Sequence, residues 1–586
     1  MITRATCKLL CIALLSVAWV PCFVALAGAA FDTDGAPICT DPDLQYPFSI
    51  VADGSQGAIV VWNDSRGPSV DFYAQRVNSA GDVLWSNNGV AVVAQASDQT
   101  DGFALPVAAG VVVFWTDFRN LGQDIYAQRL NDQGIRQWAT DGVALTVTSS
   151  DAESHPLAVS DGALIFNQPS GWDVAWINKN NSHLDYTVRA QHLDANGGDM
   201  WTSPSLGGVT VAFNTEEIKN LALTSDGVGP NFATKGAILA WSQLASSGAT
   251  AYDVYARRVD GSGVVQWGNA VAVSNLTSDQ GFNSVAIVNV GSGNVIIGWD
   301  DLHTGNRDLV AQKLNGSGAK QWLTDGLPIC RASGAQTTLK LISDNAGGVI
   351  AVWTDARAAN TKIYAQRLDG NGNPLWSVGG LPDGIPICSA SGNQSSPVIV
   401  GDGAGGAIIA WIDQRTAVAD LYAQRVNANG NLLWPATGTP LTLNSAAQDN
   451  LCLATDGAGG AIAAWRDMRN GNSDVYINRV TSGGTVDVAT VVPPSRRLTF
   501  VSANPSRGEV RMRLELPNAE MVSMEVIDAM GRRVRSAGTS ALRDAGAHLL
   551  SWNGTDDAGN AVAAGVYFVS VRAGDAKLSQ RVVKIR

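Results

Sequence analysis

The chain is 586 residues long, 45% apolar and 16% charged, with a formal net charge of −12. That length exceeds one simple core and predicts two or more domains, and the apolar share excludes a disordered chain. The acidic balance excludes a nucleic-acid partner, because phosphate binding needs a basic face.

The N-terminus predicts a signal peptide over residues 1–30. Arg4 and Lys8 supply a positive start, residues 9–27 are almost wholly apolar, and Ala25, Ala27, Ala29 and Ala30 offer cleavage positions. No later segment reaches the roughly 20 apolar residues a spanning helix needs, so no membrane span is expected after cleavage. The expected locale is secreted or at a bacterial cell surface. Four cysteines follow the leader. Cys39, Cys330 and Cys388 each end a Pro-Ile-Cys, and Cys452 stands alone. Equivalent places in separate repeats lie too far apart for a disulfide, so these read as small buried hydrophobes, without metal-ligand spacing.

Beyond the leader the chain repeats. A Trp ending an apolar run occurs at 62, 115, 176, 241, 299, 353, 411 and 465. A second element follows each time, typified by Tyr-Ala-Gln-Arg at 422–425, with variants RAQH at 189–192, VAQK at 310–313 and YINR at 476–479. In seven units a Gly-bearing turn and a second Trp come next, at 85, 138, 201, 267, 322, 376 and 434. Each unit, about 53 to 65 residues, predicts four strands. Around Trp411 these are 397–402, 406–412, 420–426 and 432 to about 443. The second strand is apolar on both faces, as in a strand between two layers, and the hairpin turns carry the Asn, Asp and Gly that accept positive φ. The eighth unit lacks the last segment. The N-terminal Asp-Gly-Ala-Pro-Ile-Cys at 34–39 matches Asp-Gly-Leu-Pro-Ile-Cys at 325–330 and completes it, unless residues 486–492 do so instead. Either way the prediction is all-β: an eight-bladed β-propeller over residues 31–492.

Residues 493–499 read as a linker within a Gly- and Pro-bearing stretch, and 500–586 as short alternating strands of a β-sandwich. From Arg497 onward there are 13 basic and 9 acidic side chains, so an acidic body carries a basic tail. The tail has Asn504-Pro505, Gly508, Leu516-Pro517, VIDAMGRRVR at 526–535, WNGTDDAGNAVAAGVYFVSV at 552–571 and KLSQRVVKIR at 577–586. It resembles the Ig-like domain of the flagellar hook-capping protein and the similar C-terminal sorting domains of bacterial type IX secretion cargo. The resemblance implies a tail read by secretion machinery. The body resembles uncharacterised bacterial β-propeller repeat proteins, which implies a fold and no activity.

The motif Trp-Xaa-Asp-Xaa-Arg carries both charges in five units, at Asp64/Arg66, Asp117/Arg119, Asp355/Arg357, Asp413/Arg415 and Asp467/Arg469. It reads either as an arginine ring for an anionic ligand, as in sialidases, or as a fastener holding each hairpin by charge-assisted hydrogen bonds. A feature of nearly every unit is what every unit needs to fold, so the fastener is the expectation. Catalytic residues are expected to be none. The repeats hold three glutamates, Glu153, Glu216 and Glu217, and no Ser-His-Asp set or phosphate loop. Metal and cofactor are likewise expected to be none, since His155, His183 and His192 lack short spacing and turns such as DGNGN lack a final bidentate acid. Units three and four break the motif, as WINKN at 176–180 and WSQLA at 241–245. Function is expected where a repeat is broken, so Trp172, Lys179, His183, Glu216 and Glu217 form the candidate ligand-binding edge. The expectation is an exported, non-enzymatic binding or structural propeller whose partner is a glycan or a protein. The alternative is a carbohydrate-active hydrolase with a central pocket.

Overall fold

The computed structural model describes residues 31–585 except 32, 108–109, 121, 148–150, 162–163, 166–167, 170, 184, 202–206, 228–235, 246–250, 378–381, 487–495, 501–504, 507, 517–518 and 544–545. The expected signal peptide lies outside the described residues, as do all but the first residue of 486–492. No helix occurs among the described residues. The chain divides into two compact units, one spanning Ala29–Val491 and the other holding Val492–Arg586.

The larger unit contains eight four-stranded antiparallel sheets, numbered here in chain order. Sheet seven shows the pattern, with strands Asn393–Gly401, Ala407–Gln414, Asp420–Val426 and Thr439–Pro440. Its second strand, AIIAWIDQ, is buried on both faces through Trp411. Bulky apolar groups there fill the space between adjacent sheets, where area removed from water dominates the stabilisation. Eight apolar clusters follow from this pattern. Each joins one sheet to the next, and one joins sheet eight back to sheet one through Trp62, Val60, Ile462 and Ala464.

The fourth strand is shorter than expected, two residues in sheet seven instead of a run to about 443. The chain leaves the sheet to seat the second Trp. Trp434 is 6% exposed and donates its indole N–H to the Ser482 carbonyl at 3.1 Å, in the hairpin of the next sheet. Trp376 does the same to Ala428, and Trp85 to Asp132. Each rests on the glycine of that hairpin, and a Cβ on Gly430, at φ +83°, would come within 2.8 Å of Trp376. Only glycine meets both demands.

Sheet eight consists of Gln448–Thr455, Ala461–Asp467 and Asp474–Val480, with Ala36–Cys39 as its outer strand. Ala36 pairs with Ile477 and Cys39 with Val475, antiparallel. The N-terminal segment therefore completes this sheet, as expected. It also supplies a residue the sequence reading missed. Phe31 stands eight positions before Cys39, as Trp322 does before Cys330. It is 2% exposed and bonds through its backbone N–H to the Ala80 carbonyl in sheet one. Phe31 takes the place of the missing eighth Trp.

The smaller unit has a three-stranded sheet, Arg497–Phe500, Val510–Leu516 and Gly546–Trp552, and a four-stranded sheet, Glu520–Asp528, Arg533–Arg543, Gly565–Ala573 and Ala576–Lys584. Met512, Leu514, Val526, Trp552 and Val569 fill its core. The Trp552 indole N–H donates to Thr555 at 2.9 Å, and Asp556 accepts the backbone N–H of Asn560 at 2.8 Å, so the WNGTDDAGN run is a self-capped turn.

Candidate functional site

The repeated charges are held inside the fold. In sheet seven the Trp411 indole N–H donates to Asp413 at 2.9 Å, and the Arg415 guanidinium meets the same carboxylate through Nε at 2.8 Å and Nη2 at 2.7 Å. Nη2 also reaches the Thr437 carbonyl at 2.8 Å, and the guanidinium lies 3.5 Å over the Tyr422 ring. The fork therefore ties its own strand to the third strand and to the turn before the fourth. Arg66, Arg357 and Arg469 make the same set with Asp64, Asp355 and Asp467. Burial pushes the Asp413 carboxyl up, and hydrogen bonds from Arg415 and Trp411 outweigh it, so its pKa lies below the usual carboxylate range. The Cys388 sulfur sits 3.5 Å from Arg415, and burial raises its thiol pKa. The second repeated arginine is equally occupied. Arg425 pairs with Asp402 at 3.0 Å and reaches across to the Ser482 carbonyl of the next sheet. In all five units that carry both charges of the motif, the guanidinium is paired with its own aspartate.

Sheets three and four depart from the pattern, and one of the five expected edge residues, Trp172, lies in the core instead of at an edge. Trp172 is fully buried, edge-on to Trp138 at 5.8 Å, and belongs to the core between sheets two and three. It contributes no contact surface. Lys179 lies at the other end of that strand, 5.6 Å from the Tyr186 ring, in register with Tyr186 and, through it, Asn214. His183 is exposed in the adjoining turn, its backbone N–H bonded to Asn180. Glu216 is half-buried, and Glu217 accepts a hydrogen bond from the Tyr252 hydroxyl. Beside Tyr252, Lys219 Nζ sits 3.8 Å from that ring and 3.6 Å from Phe282, and burial lowers its pKa. His155 occupies a bulge of its strand at φ 57°. His192 takes the position of the repeat arginine but pairs with a different aspartate, Asp173 at 2.7 Å, and lies 4.0 Å from Asp161; burial opposes its charge, and Asp173 and Asp161 raise its pKa above the ordinary value. Among the described residues no His, Cys, Asp and Glu group could hold a metal.

The repeat lets go elsewhere, in sheet five, built of Gln280–Asn289, Val295–Asp301, Asp308–Leu314 and Leu327–Cys330. Here the motif reads Trp299-Asp300-Asp301-Leu302-His303, and the tyrosine opposite the Trp is Val310. The carboxylate stays while the arginine and its aromatic lid are both gone. The hairpin is otherwise unchanged, since the His303 backbone N–H donates to Asp301 at 2.6 Å as Arg415 does to Asp413 at 2.9 Å. What remains is a cavity of about 200 Å³ lined by Leu276, Asp301, His303, Thr304, Asp308, Val310, Asp325, Gly326 and Arg331. Asp301 is 4% exposed, and burial raises its pKa, opposite to Asp413. Burial raises Asp308 too, against a 2.7 Å hydrogen bond from Thr304. The sequence signal was present, since His303 and Val310 break two repeat columns seven residues apart. Neither break alters the length or the turns of the unit, so it passed as ordinary variation.

Residues 499–577 match the family model described as the FlgD Ig-like domain. No curated protein matches the chain. Among solved structures, a protein of unknown function from Dyadobacter fermentans DSM 18053 is 9% identical, with a TM-score of 0.35, over 77% of this chain and 98% of that one. A PL25 ulvan lyase is 10% identical, with a TM-score of 0.37, over 69% and 95%. PorZ, a bacterial surface component of the type-IX secretion system of Porphyromonas gingivalis, is 10% identical, with a TM-score of 0.23, over 94% and 100%. Scores this low assign no activity to this chain. What the comparisons show is that the C-terminal domain is similar to the FlgD Ig-like domain over residues 499–577.

Proposed function

We propose that this chain is an exported binding or structural platform, an eight-bladed β-propeller closed by its N-terminal strand and followed by an Ig-like domain, working outside the bacterial cell or on its surface. The blade count is supported by eight four-stranded sheets and by apolar clusters that link each sheet to the next and the last to the first. The functional reading rests on one observation above all. The groups that recur like a catalytic constellation, Asp413 with Arg415 and their counterparts, are engaged in holding together the sheets that carry them. A rigid frame of this kind leaves loops and departures from the repeat to select a ligand. The apolar leader and the tail's family match support export, and the tail is proposed as the part that secretion machinery reads.

The test is a glycan and protein panel presented to residues 31–586, read both for binding and for released product. Saturable binding without turnover is the expected result, with an extracellular glycan or protein as ligand. Released product would replace this reading with that of a carbohydrate-active hydrolase. For the tail, deleting 497–586 is expected to change where the protein accumulates in the producing cell. Unchanged accumulation would overturn the sorting role.

A further inference from the structure

Four sheets show what the sheet-five cavity is shaped to hold. At this place sheets one, six, seven and eight seat a guanidinium between a buried aspartate and the carbonyl of the turn before the last strand, with an aromatic face beside it. In sheet five the aspartate is Asp301, the turn is Asp325-Gly326, and both line the cavity. No ion pair forms on Asp301 among the described residues, whereas its counterparts each have one. One further polar atom of this arrangement is left over. Ser274, fully buried, holds the register position of Cys39, Cys330 and Cys388, which face the guanidinium in the following sheet, and its hydroxyl has no partner.

We propose that this cavity receives a guanidinium group from outside the sheet, carried either by an arginine side chain of a partner polypeptide or by a small free guanidino compound. Asp301 accepts the fork, and the carbonyl before Gly326 accepts the remaining N–H. Val310 in place of tyrosine leaves room for entry, and His303, exposed at the rim, leaves the mouth unblocked. Three carboxylates, Asp301, Asp308 and Asp325, against the single guanidinium of Arg331 keep the cavity attractive to a cation. A bidentate charge-assisted pair in a largely buried site is the strong kind. The inference rests on the binding reading above and adds the chemical class of one ligand.

Calorimetric titration of the protein, at constant ionic strength, with methylguanidine, Nα-acetyl-arginine amide and a Gly-Gly-Arg-Gly-Gly peptide tests it, with Nα-acetyl-citrulline amide as the uncharged isostere. Saturable binding of the guanidinium probes and none of citrulline is expected. His303→Arg, which restores the residue that the other sheets carry, is expected to fill the site from within, weaken binding about tenfold or more and raise the melting temperature. Asp301→Asn is expected to weaken binding to a similar degree. Tighter binding of the peptide than of methylguanidine assigns the group to a partner polypeptide, and equal binding assigns it to a small compound. Absence of saturable binding, or binding indifferent to His303→Arg, overturns the proposal. A panel ligand still bound by His303→Arg would leave the platform reading standing when the guanidinium site falls.

Discussion

Glu153 faces Asn178 across the first two strands of sheet three, and its carboxylate accepts the Asn178 amide at 3.0 Å. Six other sheets set a glutamine against an aspartate at this pair, as Gln394 against Asp413 and Gln336 against Asp355. Acid and amide have changed sides. Asn178 has no fork-forming arginine to hold, and the negative charge moves to a place where nothing cationic is bonded to it.

That exchange has a pH signature. Burial pushes the Glu153 carboxyl up to about 7, despite hydrogen bonds from Thr146 and Asn178. The folded state therefore holds this proton more tightly than the unfolded chain. The contribution is fully present below the ordinary carboxyl value and is lost as pH rises through about 7. Glu153→Gln should remove the loss, making the variant more stable than the parent at pH 8 by on the order of 2–3 kcal/mol and little different at pH 4. Urea unfolding at the two pH values measures it.

The fastener predicts an asymmetry between two replacements of one residue. Arg415→Ala leaves Asp413, which is fully buried, without its cation and should cost about 3 kcal/mol. Arg415→Lys should recover less than half of this, because an ammonium cannot make the fork to both carboxylate oxygens or lie flat on Tyr422. Chemical denaturation of both variants decides the matter, and full recovery by lysine would show that charge alone suffices.

Burial pushes the thiols of Cys39, Cys330 and Cys452 up to about 12. A thiolate is the reactive form. A chain of residues 31–586 should thus give almost no reaction with a disulfide reagent at pH 8 while native, and four equivalents once unfolded. Fewer than four equivalents after unfolding without reductant would reveal a disulfide.

Two glycines with similar backbone conformations separate packing from turn strain. Gly430, at φ +83°, bears Trp376 on its α-carbon, whereas Gly403, at φ +76°, has nothing within 4 Å of a Cβ. Gly403→Ala should cost about 1 kcal/mol from backbone conformation alone. Gly430→Ala should cost roughly 2 kcal/mol more, because Trp376 must leave its seat. Thermal unfolding of the pair yields the difference.

Most of the larger unit was legible because each sheet repeats the same answer to the same packing demand. Trp411 and its seven counterparts mark the strand buried on both faces, and hairpin glycines mark the turns. The closing strand was legible through its Pro-Ile-Cys, but Phe31 was not, because a different aromatic group filled the tryptophan's seat. The candidate edge failed at Trp172 for a related reason. An extra large aromatic residue in a double-sided strand goes to the core, here against Trp138, wherever the adjacent sheet leaves space. The sheet-five cavity was hidden more deeply. It is made by two side chains that are absent, from strands that meet only when folded, and a count of what is present cannot register it.

The pairing of Ala36–Cys39 with the third strand of sheet eight also sets a timetable. Arg469 reaches the Asp34 carbonyl across 435 residues of chain. At roughly 5–20 residues per second of synthesis, the early strand waits on the order of half a minute or more for its partner to exist. Throughout that interval seven sheets can form while the final one cannot, and two unpaired edges stay open to other chains. Sheet eight is therefore the last of the eight that can close, by pairing two segments more than 430 residues apart ahead of any neighbouring chain.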